Sequence, residues 1–326
     1  MTRVAVIDIG TVTARLAVAD VRDGKVVRMA RQSTIVNLGE GVDKTSRLRE
    51  DACARLLQCI DRYLGEVRAA SVEGLCCTLT SAARDAQNSA ELLGALKDRG
   101  LVAQIIPGKV EGMLTFLGVA QDFAGDRLLV ADNGGGSTEF ALGTWDAGKG
   151  LDVQYVRSID VGCRRVTERF LSREDPPSAE DVRAAHEFAA HEFLPIASWW
   201  SSEDERPSRL VITGGTSTTL VAMWKGLEPY DSSQVHLAEL TREVVQEQEE
   251  RLAALTVAQR AELAGVQPQR APVLLGGVVA VGEVLEVAGC SSLTVSESDL
   301  LFGLSLATAS SVCNLPSPVG WRPEFS

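Results

Sequence analysis

The chain reads as an α/β protein of two domains, and three observations predict it. Short apolar runs ending in small residues alternate with longer segments of helical period. The 326 residues suit about two domains of ordinary size. One strand–turn–strand pattern occurs twice, as "RVAVIDIGTVTARLAVA" from Arg3 and as "RLLVADNGGGSTEFALG" from Arg127.

The elements follow in order. Val4 to Ile7 form one continuous apolar run and Ala14 to Val21 a second. Asp23-Gly24 then supplies a hairpin turn into a third strand. From Ser46 the period changes, and Leu48, Ala52, Leu56, Ile60, Leu64 and Val67 share one helical face. "VEGLCCTLTSAARDAQN" reads as strand, turn and helix start, and "LVAQIIPGKVEGMLTFLGVAQDF" repeats that order. A break near residue 124 separates a first domain (1–124) from a second (125–310), with a C-terminal tail at 311–326 whose Pro-rich part, 316–326, is expected to be loosely held. In the second domain Ser178 with Asp181, and Thr256 with Gln259, mark helix starts. "SRLVITGGTSTTLVA" is another strand, glycine turn and helix. The charged stretch 199–208 reads as a surface loop.

Bulk properties exclude several classes. A 45% hydrophobic content supports a core without disulfides, and a net charge of −12 argues against nucleic-acid binding through bulk electrostatics. The seven cysteines have no C-x-x-C spacing, so neither a zinc site nor a disulfide framework is expected. The start of the chain enters a strand at Arg3 without the apolar stretch of a secretion signal. "APVLLGGVVAVGEVLEVAG" is broken by Glu283 and Glu286 and reads as too short for a bilayer span. The expectation is a soluble cytoplasmic protein with no nucleic-acid or membrane partner.

Four stretches share one grammar: "DIGTVTAR", "TSAARDA", "DNGGGSTE" and "TGGTSTT". In each, small residues follow a strand and allow backbone N–H groups to face a phosphate. Asp8, Asp132 and Glu139 add carboxylates of the hard-oxygen type that Mg²⁺ prefers. Singly these are common turns, bulges or helix entries, and the glycines are not a Walker motif because no lysine follows them. Their combination points to a phosphate-and-metal site. On the residues alone, Glu111 is a first-turn helix acid and Arg84 a surface helix residue. Arg164 and Arg165 read equally as positive potential near the site or as a solvated face. His186, His191 and His236 fit no ligand pattern.

The order of these motifs resembles that of the exopolyphosphatase/guanosine pentaphosphate phosphohydrolase family, over residues 3 to about 305. "DIGTVTARL" is similar to the family's D-x-G-S-x-S-x-R-L, with Thr11 and Thr13 in place of the serines. "TSAARDAQN" is near its T-S-A-x-R-[DE]-A-x-N, and "DNGGGSTEF" departs from D-I-G-G-G-S-T-E only at Asn133. "SIDVGCRRVTERF" and "TGGTSTTL" match as well. The resemblance implies two actin-like (ribonuclease H-like) domains with an interdomain cleft, a homodimer, and a Mg²⁺-dependent phosphoanhydride hydrolase. It implies Glu111 as the general base and Asp132 and Glu139 as holders of Mg²⁺ or its waters, with Asp8 nearby. Arg84, Thr11, Thr13, Gly134, Gly135, Gly136 and Ser137, and Gly214, Gly215, Thr216 and Ser217, would bind phosphate.

This chain departs from the family at several positions: Val110 for the first Glu of an E-E pair, Lys109 beside the base, and Pro272 for the Asp of R-A-D. Asp299, Leu301 and Phe302 stand at the Gly, Arg and Glu of G-L-R-E-G. The chain resembles the family's two-domain short form, without the long form's His-Asp helical module, and the expectation is that the long-chain channel which that module helps to build is absent. The implied substrate is inorganic polyphosphate, with short chains favoured because an acidic surface repels a long polyanion. A guanosine penta- or tetraphosphate phosphohydrolase, a phosphate-binding regulator without turnover, and a sugar-kinase-like phosphotransferase stay open as rivals.

Overall fold

The computed structural model describes residues 1–146, 148, 150–200, 202 and 205–326. Residues 201, 203 and 204 of the expected surface loop at 199–208 therefore lie outside the described residues. The chain forms two compact units. One comprises Met1–Phe123, Asp146–Leu151 and Leu300–Ser326; the other comprises Ala124–Trp145 and Asp152–Asp299.

The first unit begins with β1 (Thr2–Ile9), β2 (Thr13–Arg22) and β3 (Lys25–Ile35). Asp23 and Gly24 both take positive φ, 50° and 72°, as a two-residue I′ hairpin turn requires. The short α1 (Val42–Thr45) precedes α2 (Glu50–Ala70), which buries Ala52, Leu56, Ile60, Leu64 and Val67 on one face as their spacing predicts. β4 (Gly74–Leu79), α3 (Ser81–Asp85), α4 (Ser89–Lys97), β5 (Ala103–Ile105) and α5 (Gly108–Ala120) follow. The sheet order is β3-β2-β1-β4-β5, antiparallel on one side of β1 and parallel on the other.

Each face of this sheet carries its own core. Ala5, Ile7 and Ile9 pack with residues of α2 and α4, whereas Val4 and Val6 pack with α5 and the helix Leu300–Val312. By strand alternation, Asp8 continues the Val4/Val6 face. Gly303 permits the helix contact: a Cβ there would lie 1.8 Å from the Leu114 carbonyl oxygen of α5.

The second unit opens with the hairpin β6 (Arg127–Asn133) and β7 (Thr138–Asp146), then β8 (Gly150–Ile159). The short α6 (Cys163–Val166) continues through a π turn, and α7 (Ala179–Ala197) starts at the Ser178 cap, whose hydroxyl accepts from the Asp181 amide at 3.1 Å. β9 (Arg209–Thr213), α8 (Gly215–Lys225), α9 (Ser232–Val235), β10 (Glu239–Thr241) and α10 (Arg242–Ala253) come next. α11 (Val257–Ala261), which opens on the Thr256/Gln259 capping box, α12 (Ala271–Ala288) and β11 (Ser292–Val295) complete the unit. The sheet order is β10-β11-β9-β6-β7-β8. Its β8-β7-β6-β9-β11 run repeats the β3-β2-β1-β4-β5 topology of the first unit, so the repeat seen in the sequence extends to whole sheets. This is the two-domain actin-like fold with mixed sheets flanked by helices.

Three expectations need correction. The segment 300–310 belongs with the first unit, because Leu300, Leu301, Leu304, Leu306 and Ala307 complete the core beneath Val4 and Val6. The tail is docked: Val319 is buried, the Ser326 amide donates to the Leu75 carbonyl at 3.1 Å, and the Val102 amide donates to Ser326 Oγ at 2.6 Å. Lastly, the helical stretch Pro268–Ala288 is by length and composition able to cross a membrane, contrary to the length argument. Its apolar residues, including Leu274, Val278, Val281 and Leu285, instead pack within the second unit's core.

Candidate active site

The two repeated hairpins are built alike and charged differently. In the first unit the turn closes with Gly10 N–H donating to the Thr13 carbonyl at 2.9 Å; in the second, Gly134 N–H donates to the Ser137 carbonyl at 3.0 Å. The next two amides of each turn, Thr11 and Val12 or Gly135 and Gly136, donate to no acceptor among the described residues. Such paired amides form a concave anion-binding surface. The strand positions below the turns differ. Asp8 lies opposite Arg15, whose Nε and Nη2 donate to Asp8 Oδ2 at 3.0 and 2.7 Å. Asp132 lies directly opposite Glu139, so two buried carboxylates face each other across antiparallel strands.

The first unit also places Arg84 and Glu111 together. Arg84 leaves the last turn of α3 and Glu111 the first turn of α5, a helix whose N-cap, Pro107, has no side-chain acceptor for the first amides. Arg84 Nη1 donates to Glu111 Oε2 at 2.5 Å and to the Ile106 carbonyl at 3.1 Å. Glu111 is only 7% exposed. The guanidinium–carboxylate contact is short, as charge-assisted hydrogen bonds are.

In the second unit, Glu139 Oε1 accepts from Ser137 Oγ at 2.7 Å and from Ser158 Oγ at 2.6 Å. Arg165 Nε donates to the Gly136 carbonyl at 2.7 Å, and Arg164 Nη1 pairs with Glu168 at 3.0 Å. Both arginines are buried, which removes the solvated-face reading. The Gly134 amide, expected to bind phosphate, is instead spent on closing its own turn.

The β9–α8 entry supplies a second set of amides. Gly214 has φ 107°, and a Cβ there would lie 2.6 Å from the Asn133 carbonyl oxygen, so only glycine fits. No side chain caps α8, and its first turn (Gly215, Thr216, Ser217) presents the amides that helix geometry leaves without internal partners. A Cβ on Gly215 would sit 1.8 Å from Arg270 Nη1, so the guanidinium lies directly on the start of this helix. Burial raises the pKa of the Cys163 thiol, and the charges of Arg270 and Arg164 oppose that rise only in part. A cation at the positive end of a helix is unfavourable by itself and becomes favourable beside an anion.

Among the described residues no three or more His, Cys, Asp or Glu side chains are grouped to hold a metal. A cation at the second hairpin would therefore find two carboxylates, Asp132 and Glu139. That set suits Mg²⁺, which retains waters and takes further oxygens from bound phosphates. Asp8 belongs to the first unit, and its charge is already matched by Arg15.

Each predicted residue is thus placed in one of two groups: Asp8, Thr11, Thr13, Arg84 and Glu111 in the first unit, the rest in the second. Sequence reasoning missed Arg15, Ser158 and Arg270. Arg15 stood in plain view in "TARL", since a hairpin of this length puts it opposite Asp8. Arg270 lies in "QRAPV", two residues before Pro272, with no local signal that ties it to the start of α8.

Residues 17–308 match the Ppx/GppA phosphatase family. The chain is 36% identical over 326 residues to exopolyphosphatase 2 of Mycobacterium tuberculosis, covering 95% of this chain and 99% of that protein. The crystal structure of the Aquifex aeolicus Ppx/GppA family member superposes with a TM-score of 0.77 at 31% identity, covering 96% of this chain and 98% of that one. An exopolyphosphatase structure from Cytophaga hutchinsonii gives a TM-score of 0.83 at 25% identity, with 96% and 98% covered.

Proposed function

The chain belongs to the Ppx/GppA phosphatase family, and from that premise we propose that it is an exopolyphosphatase, releasing terminal orthophosphate from inorganic polyphosphate. The relatives named above support the reaction class. The observation that carries turnover, as opposed to binding alone, is the buried Glu111 held at 2.5 Å from Arg84. In this reading Arg84 passes to the substrate's phosphate oxygens, and Glu111 takes a proton from the attacking water. The Gly135 and Gly136 amides, the first turn of α8 and Arg270 offset the phosphate charge. Such positioning and neutralisation is most of what phosphoanhydride hydrolysis requires. Asp132 and Glu139 would hold Mg²⁺, which when bound supplies charge neutralisation on the phosphate oxygens. Asp8 orients Arg15 and is not assigned to the cation.

The net charge of −12 favours short chains over a long polyanion laid along the surface. The family frame extends the proposal to a cytoplasmic homodimer. The test is orthophosphate release from short-chain polyphosphate, long-chain polyphosphate and pppGpp, each with Mg²⁺ and again with EDTA. Mg²⁺-dependent release fastest from short chains is expected. Release from pppGpp alone would move the assignment to a guanosine pentaphosphate phosphohydrolase. Binding with no release from any of the three would make the protein a phosphate-binding regulator.

A further inference from the structure

We propose that Arg165 is a positioning residue for the phosphate-binding turn of the second unit: its guanidinium clamps the Gly136 carbonyl and so fixes the direction of the turn's amides. The inference rests on the assignment of the Gly135 and Gly136 amides to phosphate. Three successive carbonyls of this turn are held by one segment. The Gly134 carbonyl accepts from the Cys163 amide at 2.9 Å, and the Gly135 carbonyl from the Arg164 and Arg165 amides at 2.9 and 3.2 Å. The Gly136 carbonyl accepts from Arg165 Nε at 2.7 Å. These peptides are trans, so each N–H points away from the carbonyl of its own plane. Holding the Gly134 and Gly135 carbonyls therefore turns the Gly135 and Gly136 amides away from residues 163–165. Holding the Gly136 carbonyl fixes the next plane, and the two before it can no longer rotate freely.

Such a clamp has a physical reason. Three glycines in sequence have no Cβ to restrict φ and ψ, so an unclamped turn would sample many amide directions. Anion affinity gains when those directions are set beforehand. The first hairpin shows the same device made from backbone alone. The segment after β3 supplies the Gly39 amide to the Thr11 carbonyl at 2.8 Å, and the Val36 and Asn37 amides to the Val12 carbonyl, both at 2.9 Å. Val12 is the counterpart of Gly136, as Gly10 is of Gly134. In the second unit the segment after β8 gives its amides to Gly134 and Gly135, and Arg165 Nε takes the place of Val36 and Asn37. Gly162 lets this segment lie so close, since a Cβ there would sit 2.5 Å from the Gly135 carbonyl carbon.

A direct phosphate ligand would act by its charge, whereas a positioning residue acts by its donor, and in Arg165 the two lie on different atoms. Nε holds the carbonyl, while Nη2 at the charged end lies 3.9 Å from Asp160 Oδ1. Gln places an N–H donor as many bonds from Cα as Arg Nε and carries no charge; Lys keeps the charge but has a methylene at that point. The experiment is calorimetric binding of inorganic tripolyphosphate, with Mg²⁺, to the intact protein, alongside melting temperatures. It compares wild type, Arg165→Gln, Arg165→Lys and Gly162→Ala. Arg165→Lys should weaken binding about tenfold, and Arg165→Gln by less than about threefold. Gly162→Ala pushes the segment off the turn with the guanidinium intact, and should also weaken binding about tenfold. The opposite order, with Gln weak and Lys strong, would make Arg165 a charge ligand and overturn the proposal. Lower melting temperatures with unchanged affinity in all three variants would reduce the segment to a fastener and overturn it as well. Wild type that binds no tripolyphosphate would remove the phosphate assignment beneath it, and the proposal with it.

Discussion

His186 carries a stability prediction that can be worked from its surroundings. It projects from α7, and its Nε2 and Nδ1 lie 2.7 Å from Glu249 of α10 and 2.7 Å from Glu283 of α12. One imidazolium thus ties three helices of the second unit. The bonds to Glu249 and then Glu283 raise its pKa from 6.5 to about 10, against the opposing effect of burial. Because the folded value is the higher one, the contribution is fully present below about pH 6.5 and is lost as pH rises towards 10. Taken at face value the shift corresponds to ~5 kcal/mol. With 31% of the side chain open to water, screening brings this to about 2 kcal/mol.

The assay is urea unfolding of wild type and His186→Gln at pH 6, 8 and 9.5, followed by tryptophan fluorescence. Four of the five tryptophans, Trp145, Trp199, Trp200 and Trp224, lie in the second unit, so the signal reports the part that the histidine holds. The stability difference should be about 2 kcal/mol larger at pH 6 than at pH 9.5. A difference that is flat across this range, or that grows with pH, would show that His186 is not a protonated link between these glutamates.

Other perturbations follow from the same geometry. Gly215→Ala should push Arg270 off the start of α8 and raise KM for polyphosphate about tenfold, while circular dichroism stays native. Gly214→Ala combines a strained φ with a backbone collision and should cost the second unit at least ~2 kcal/mol, seen as a lowered urea midpoint. Asp132→Asn should reduce turnover at least ~100-fold, seen as lost orthophosphate release, while the fold stays native by circular dichroism. Truncation before residue 316 should destabilise the first unit by about 2–4 kcal/mol, because Val319, Trp321 and the backbone bonds of Ser326 leave with it. Its near-neutral effect in a Trp321-independent probe such as far-ultraviolet ellipticity would contradict the docked tail.

Much of this fold could be read locally. Asp-x-Gly at a strand end, Asp23-Gly24 between strands, and Thr256 three residues before Gln259 are signals whose physics lies within a few residues, and the structure places a turn or cap at each. The half of the site built on hairpins was legible for the same reason. What escaped depends on distant partners. Nothing near Ser158 marks it as a Glu139 donor until β8 is laid beside β7. His186 fits no local ligand pattern because its partners sit 63 and 97 residues away. Residues 300–326 read as the end of the second domain and a loose tail because their partners are Val4, Val6, Leu75 and Gln104, on strands from the start of the chain.

The central claim is that Glu111 performs chemistry while the glycine turns and arginines only hold the substrate. The direct measurement is a paired one on wild type and Glu111→Gln: orthophosphate release from short-chain polyphosphate with Mg²⁺, and binding of the same polyphosphate by calorimetry. The account predicts that the variant binds within a few-fold of wild type while its release falls by a factor of about 10²–10⁴, the usual range for loss of a general base. Release that survives the substitution, or binding and release that fall in step, would contradict it.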